Sequence, residues 1–182
     1  LGFDLRRLML NVLNMPSTRT VAVIDIGSNS IKLLVAGPTE SGEDIHTIFA
    51  ETIETRISSG IGSELPRLSP KAMEAGIIAV SELIRLARIH QPLAIRIVAT
   101  SAVRDALNGL EFAQQIEYKT GHTVDILDGS EEARLIGRGI TTDPQLSTLK
   151  NFLQIDLGGG SLELIHFQNH RIDKAISLQL GA

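Results

Sequence analysis

A chain of 182 residues that is 43% hydrophobic and 21% charged is long enough for one good core and part of a second, and its composition is that of a globular protein. A net charge of −4 leaves no broad basic surface, so any anion must be held locally, and neither nucleic acid nor a membrane is an expected partner. The absence of cysteine removes disulfides, thiolate catalysis and zinc ribbons together and fits a reducing, cytoplasmic location, while no apolar run approaches the roughly 20 residues of a membrane span.

Residues 1–19 read as an N-terminal extension: Arg6 and Arg7 precede a short apolar stretch with no small-residue cleavage site, which suggests a docked or frayed helix ended by Pro16. Met15 is a candidate original start. Residues 21–26 and 31–36 are expected to be buried strands joined by a Gly-Ser-Asn-Ser turn, with 45–54 a third, more polar strand completing a meander. After the Gly-rich stretch 58–62, Ser69 and Pro70 make an N-cap and first-turn pair ahead of Met73, Ile77, Val80, Ile84 and Ala87 at helical spacing. Residues 93–100 predict a strand. Asn108 with Glu111 makes a capping-box-like start for a helix through Tyr118 that stops at Gly121. A fifth strand is expected at 123–127 and a helix at 130–140 with Ser130 as its N-cap. Three strands followed by helix, strand, helix, strand, helix describe an α/β domain over 20–150, its mixed five-stranded sheet carrying helices on its faces.

Near residue 150 the pattern restarts. "IDIGSNSIKLL" from Ile24 and "IDLGGGSLELI" from Ile155 align without gaps at an offset of 131 residues, with Asp25 answering Asp156, Gly27 answering Gly158, Ser30 answering Ser161 and Leu33 answering Leu164. Residues 151–182 are therefore read as the opening strands of a second, duplicated domain. Strands with no helices behind them leave a face and edges unpaired, so the chain is expected to be a fragment or to be completed by a partner.

The two turns carry chemistry. Gly27, Ser28, Asn29 and Ser30, and likewise Gly158, Gly159, Gly160 and Ser161, present backbone N–H groups and hydroxyls with little bulk, which suits a tetrahedral oxyanion. Asp25 and Asp156, just before the turns, would repel that anion unless a cation lay between, and acid plus phosphate loop implies Mg²⁺. The alternative is a pair of tight hairpins, each capped by its aspartate; two copies at matched positions favour a phosphate-and-metal cleft between two domains. Thr100 and Ser101 lie where a strand gives way to a helical turn and Arg104 follows one turn later, which reads either as a phosphate clamp or as an N-cap with an arginine paired to Asp105. Glu131 and Glu132 either complement a helix dipole or offer a proton acceptor. The five histidines are scattered and suggest no metal cluster.

"VIDIGSNSIKLLVA", "LSPKAMEAGIIAV", "VATSAVRDA", "LDGSEEARLIGRG" and "QIDLGGGSLELI", in this order, resemble the exopolyphosphatase and guanosine pentaphosphate phosphohydrolase family, of the actin, sugar-kinase and heat-shock-ATPase superfamily with ribonuclease H-like folds. The resemblance covers Thr20 to Ala182 and implies that the chain continues. It also implies that Glu132 is the general base for the attacking water, that Arg104 holds the terminal phosphate, and that Asp156 and Glu163 support Mg²⁺, with Asp25 facing the same ion. Leu162 stands where the family's second turn usually has threonine, so one hydroxyl is lost. The substrate implied is inorganic polyphosphate or guanosine pentaphosphate. A basic channel for long polyphosphate would have to come from the rest of a longer chain or from a second copy, and a homodimer of the full-length protein is expected.

Overall fold

The computed structural model describes residues 20–39, 45–59, 65–141, 146, 149 and 150–180. The extension over residues 1–19, its helix ended by Pro16 and the candidate start Met15 lie outside the described residues, as does part of the Gly-rich stretch 58–62.

Alternation builds the first sheet. In β1 (Val21–Ile26) Ala22, Ile24 and Ile26 are fully buried while Val21 and Val23 on the other face are exposed, and β2 (Ser30–Pro38) buries Ile31, Leu33 and Val35 in the same way. β3 (Ile45–Glu54) pairs antiparallel with β2, and β2 with β1. β4 (Ala94–Ala99) and β5 (Val124–Ile126) add in parallel on the far side of β1, giving the order β3-β2-β1-β4-β5. This mixed five-stranded sheet with flanking helices is the α/β arrangement expected from the sequence.

Helix α1 (Pro70–Ile89) starts as the sequence suggests: Ser69 Oγ accepts from the Ala72 N–H at 3.1 Å, with Pro70 in the first turn. Its Met73, Val80, Leu83, Ile84 and Ala87 pack on the sheet beside Phe112 and Ile116 of α3 (Gly109–Thr120). Between them, after β4, α2 (Ser101–Arg104) is a single turn. Gly121 ends α3 in the left-handed conformation, φ 74°. The expected capping box at Asn108 does not form. Its side chain is buried and turned to Leu68 instead, accepting from the Leu68 N–H at 2.9 Å and donating to the Leu68 carbonyl at 3.0 Å.

The next helix, α4 (Gly129–Thr141), is capped by Asp128 rather than Ser130: Asp128 Oδ1 accepts from the Glu131 N–H at 2.8 Å and from the Ser130 hydroxyl at 2.6 Å. It does not add to the first core. Ala133, Ile136 and Ile140 pack instead on Ile165, Phe167, Ile172 and Ala175 of a second sheet made of β6 (Phe152–Leu157), β7 (Leu162–Gln168) and β8 (Arg171–Leu178), all antiparallel in the order β6-β7-β8. The opening strands of the second unit are thus covered on one face, contrary to the bare strands expected. On the other face Leu153, Ile155 and Leu157 stay exposed, although their counterparts 131 positions earlier, Ala22, Ile24 and Ile26, are fully buried.

The repeat extends to irregularities. β2 shifts register between Val35 and Ala36, β7 between His166 and Phe167, again 131 positions apart, and both turns are closed by a backbone bond, Gly27 N–H to Ser30 C=O at 3.1 Å and Gly158 N–H to Ser161 C=O at 2.8 Å. No described helix is long and apolar enough to cross a membrane.

Candidate active site

The two turns face each other across a cleft of about 790 Å³. Each expected site residue lines it except Arg104 and Gly160: Asp25, Gly27, Ser28, Asn29 and Ser30 from the first hairpin, Thr100 and Ser101 from the β4–α2 junction, Glu132 from α4, and Asp156, Gly158, Gly159, Ser161 and Glu163 from the second hairpin. Gly160 lies against this wall. A Cβ there would stand 2.7 Å from Ser101 Oγ and 2.9 Å from Ser28 Oγ, and one on Gly159 would stand 2.7 Å from the Asn29 amide nitrogen. Only glycines let the turns approach this closely. Ser28 and Ser101 are themselves buried and hydrogen-bonded, Oγ to Oγ, at 3.2 Å.

The first turn is tied from outside. The Asn29 carbonyl accepts from the N–H groups of Thr55 and Arg56 at 3.1 and 2.8 Å, and the Ser28 carbonyl from the N–H and hydroxyl of Ser58 at 3.2 and 3.1 Å. In a planar trans peptide each carbonyl opposes the next N–H, so these bonds turn the Asn29 and Ser30 N–H groups away from the tie.

Arg104 and Glu132 meet. Arg104 Nη1 donates to Glu132 Oε2 at 2.5 Å and to the Leu127 carbonyl at 3.3 Å, while Nε donates to Asp105 Oδ1 at 3.2 Å. The expected pairing of Arg104 with Asp105 is present, and the guanidinium sits behind the cleft wall, joined to it through Glu132. Burial alone would lower the Arg104 pKa, but the hydrogen bond to Glu132 and the charges of Asp105 and Glu132 outweigh it and raise it. For Glu132 burial dominates in the other direction: with the charges of Glu163 and Asp25 it lifts the carboxyl above its ordinary range despite the Arg104 bond. Glu131, beside it, points away and pairs with Arg134 at 2.9 Å.

Asp25 is also raised, by burial, which Lys32 opposes only in part. Its Oδ1 is buried with no hydrogen-bond partner. An orphaned carboxylate oxygen in a cleft of oxygen donors fits a hard cation. Asp156 and Glu163 pair across β6 and β7, just as Asp25 and Lys32 pair across β1 and β2. Among the described residues no three acid or histidine side chains converge closely enough to chelate an ion unaided. Leu162 is absent from the wall while Glu163 lines it, in keeping with strand alternation.

Two basic residues on this wall went unpredicted. Lys32 could have been found from the hairpin register, which sets it opposite Asp25. Arg96 could not, since it reaches the wall from β4 and pairs with Asp125 of β5 at 2.6 Å, a neighbourhood that only the parallel sheet creates.

The model of the Ppx/GppA phosphatase family matches residues 34–182. Among solved structures, one described as an exopolyphosphatase from Cytophaga hutchinsonii is 26% identical with a TM-score of 0.81, covering 89% of this chain and 51% of its own. The Aquifex aeolicus member of the Ppx/GppA family is 27% identical with a TM-score of 0.76, covering 89% and 51%. An exopolyphosphatase-like protein is 31% identical with a TM-score of 0.81, covering 90% and 51%. The chain thus spans about half the length of these structures, 51% in each case.

Proposed function

This chain belongs to the Ppx/GppA phosphatase family, and on that footing we propose that its cleft is the phosphoryl site of a Mg²⁺-dependent exopolyphosphatase, which hydrolyses the terminal phosphoanhydride of inorganic polyphosphate to orthophosphate. The observation that carries the reading is Glu132, bonded from behind by Arg104, lining one cleft with the two glycine-hydroxyl turns.

In this reading the amides and hydroxyls of both turns position the terminal phosphoryl group, and its oxygens compete with Glu132 for the Arg104 guanidinium. Losing that partner, the Glu132 carboxylate takes up a water instead. Water attacks phosphorus in line, Glu132 accepts its proton, and the bridging P–O bond breaks with its electron pair going to the shortened chain. A carboxylate made more basic by burial suits this task better than an exposed one. Asp25, Asp156 and Glu163 are the acids from which one or two would ligate Mg²⁺ alongside water and phosphate oxygens, and the ion would neutralise phosphoryl charge. The net charge of −4 offers a long polyanion no channel of its own, and the rest of a longer chain, or a second copy in a homodimer, is proposed to supply it.

The test is orthophosphate release by the full-length protein offered long polyphosphate, guanosine pentaphosphate and ATP in parallel, with and without Mg²⁺. Release from polyphosphate that needs Mg²⁺ supports the proposal. Preference for guanosine pentaphosphate would move the assignment to its 5′-phosphohydrolase, and no release from any of the three would leave a phosphate-binding module.

A further inference from the structure

We propose that Ser177 is a positioning residue that fixes the Glu163 carboxylate for the cation, an inference that rests on the phosphatase reading above. β8 sets Ser177 directly across from Glu163, and its hydroxyl donates to Glu163 Oε1 at 2.7 Å. Glu163 is only 2% exposed although it lines the cleft, and among the described residues it takes part in no ion pair. A hydroxyl has a single proton to give, so one carboxylate oxygen is held by Ser177 and the other keeps its lone pairs for the cleft. Carboxylates that bind metals are commonly held by such an outer partner, which sets their orientation.

The serine is confined on its other side. Gly129, the first residue of α4, lies against it so closely that an added Cβ would stand 2.8 Å from Ser177 Cβ and 3.2 Å from its Oγ. Glu132 follows on the same first turn of α4. Position 177 must therefore be small, to let α4 begin there, and must carry a donor, to hold Glu163. Serine meets both needs, and through it the spacing between the proposed base and the proposed metal-supporting acid is fixed.

The test is Mg²⁺ titration of the substrate-free full-length protein by calorimetry, alongside the Mg²⁺ dependence of orthophosphate release, for wild type, Ser177→Ala and Gly129→Ala. Ser177→Ala is expected to weaken Mg²⁺ binding by about 10–100-fold while kcat at saturating Mg²⁺ is largely kept. Gly129→Ala, which crowds the hydroxyl without touching Glu163, is expected to shift Mg²⁺ affinity in the same direction, and so covers the case in which Ser177→Ala fails to fold. Wild-type affinity in both folded variants would overturn the role of Ser177 and leave the phosphatase reading standing. A wild type that neither binds Mg²⁺ nor releases orthophosphate would overturn the phosphatase reading, and the inference with it.

Discussion

Substituting Gly160 by alanine should damage catalysis more than folding. The new Cβ would stand 2.7 Å from Ser101 Oγ and 2.9 Å from Ser28 Oγ, about 0.7 and 0.5 Å inside the 3.4 Å at which ordinary contact begins. Neither hydroxyl can swing away freely, since Ser28 and Ser101 are 6% and 4% exposed and bonded to each other. The turns must separate by several tenths of an ångström. Overpacking of this kind costs roughly 1–3 kcal/mol of stability. Since a 1 Å displacement of positioning groups costs on the order of 100-fold in rate, a shift of several tenths of an ångström should cost about 10-fold or more. The assay is kcat/KM for Mg²⁺-dependent orthophosphate release, with the melting temperature measured on the same sample. Gly139→Ala is the control, because a Cβ there meets nothing within 4 Å and a helix-interior alanine should add about 0.5–1 kcal/mol. A Gly160→Ala protein with unchanged kcat/KM would refute the idea that the two turns grip one phosphate.

Two further outcomes follow from burial. Asn108→Ala removes both partners of the buried Leu68 N–H and C=O and should cost roughly 2–4 kcal/mol, read from urea unfolding; a loss below 1 kcal/mol would mean that water replaces the amide. Asp25 has its pKa raised above 3.8 by burial, so the folded protein binds this proton more tightly than the unfolded chain; its contribution to stability is full below the ordinary range and is lost as pH rises through the raised value. Without Mg²⁺, Asp25→Asn should therefore melt higher than wild type at neutral pH, with the gap closing as pH falls through the mildly acidic range. A gap independent of pH would contradict this.

The sequence carried the local rules well. The hydrophobic run through Ile24 and Ile26 announced its strand, Ser69 and Pro70 announced α1, and the gapless match of Ile24 with Ile155 anticipated a second strand-turn-strand unit, though not the bulge the two hairpins share. What it hid were choices between partners distant along the chain. Asn108 has the chemistry of a cap, yet a buried Leu68 backbone 40 residues away outbids its own helix. Asp128 and Ser130 are both competent caps, and the sequence does not rank them. Helical spacing shows that α4 has an apolar face but not which sheet receives it, and the second sheet takes it. In the site, the turns and their acids were legible because glycine and hydroxyl spacing is local, whereas the Arg104–Glu132 bond spans 28 residues and the Ser177–Glu163 bond depends on strand register.

The central claim is that Glu132 takes the proton of the attacking water while Arg104 and the turns hold the phosphate. The measurement that meets it most directly compares polyphosphate binding and single-turnover orthophosphate release in wild type and Glu132→Gln. Release is expected to fall by about 100-fold or more, in line with loss of a general base, while binding stays close to wild type or tightens as Arg104 is freed. Binding and turnover lost in equal measure would contradict it and make Glu132 a structural partner of Arg104.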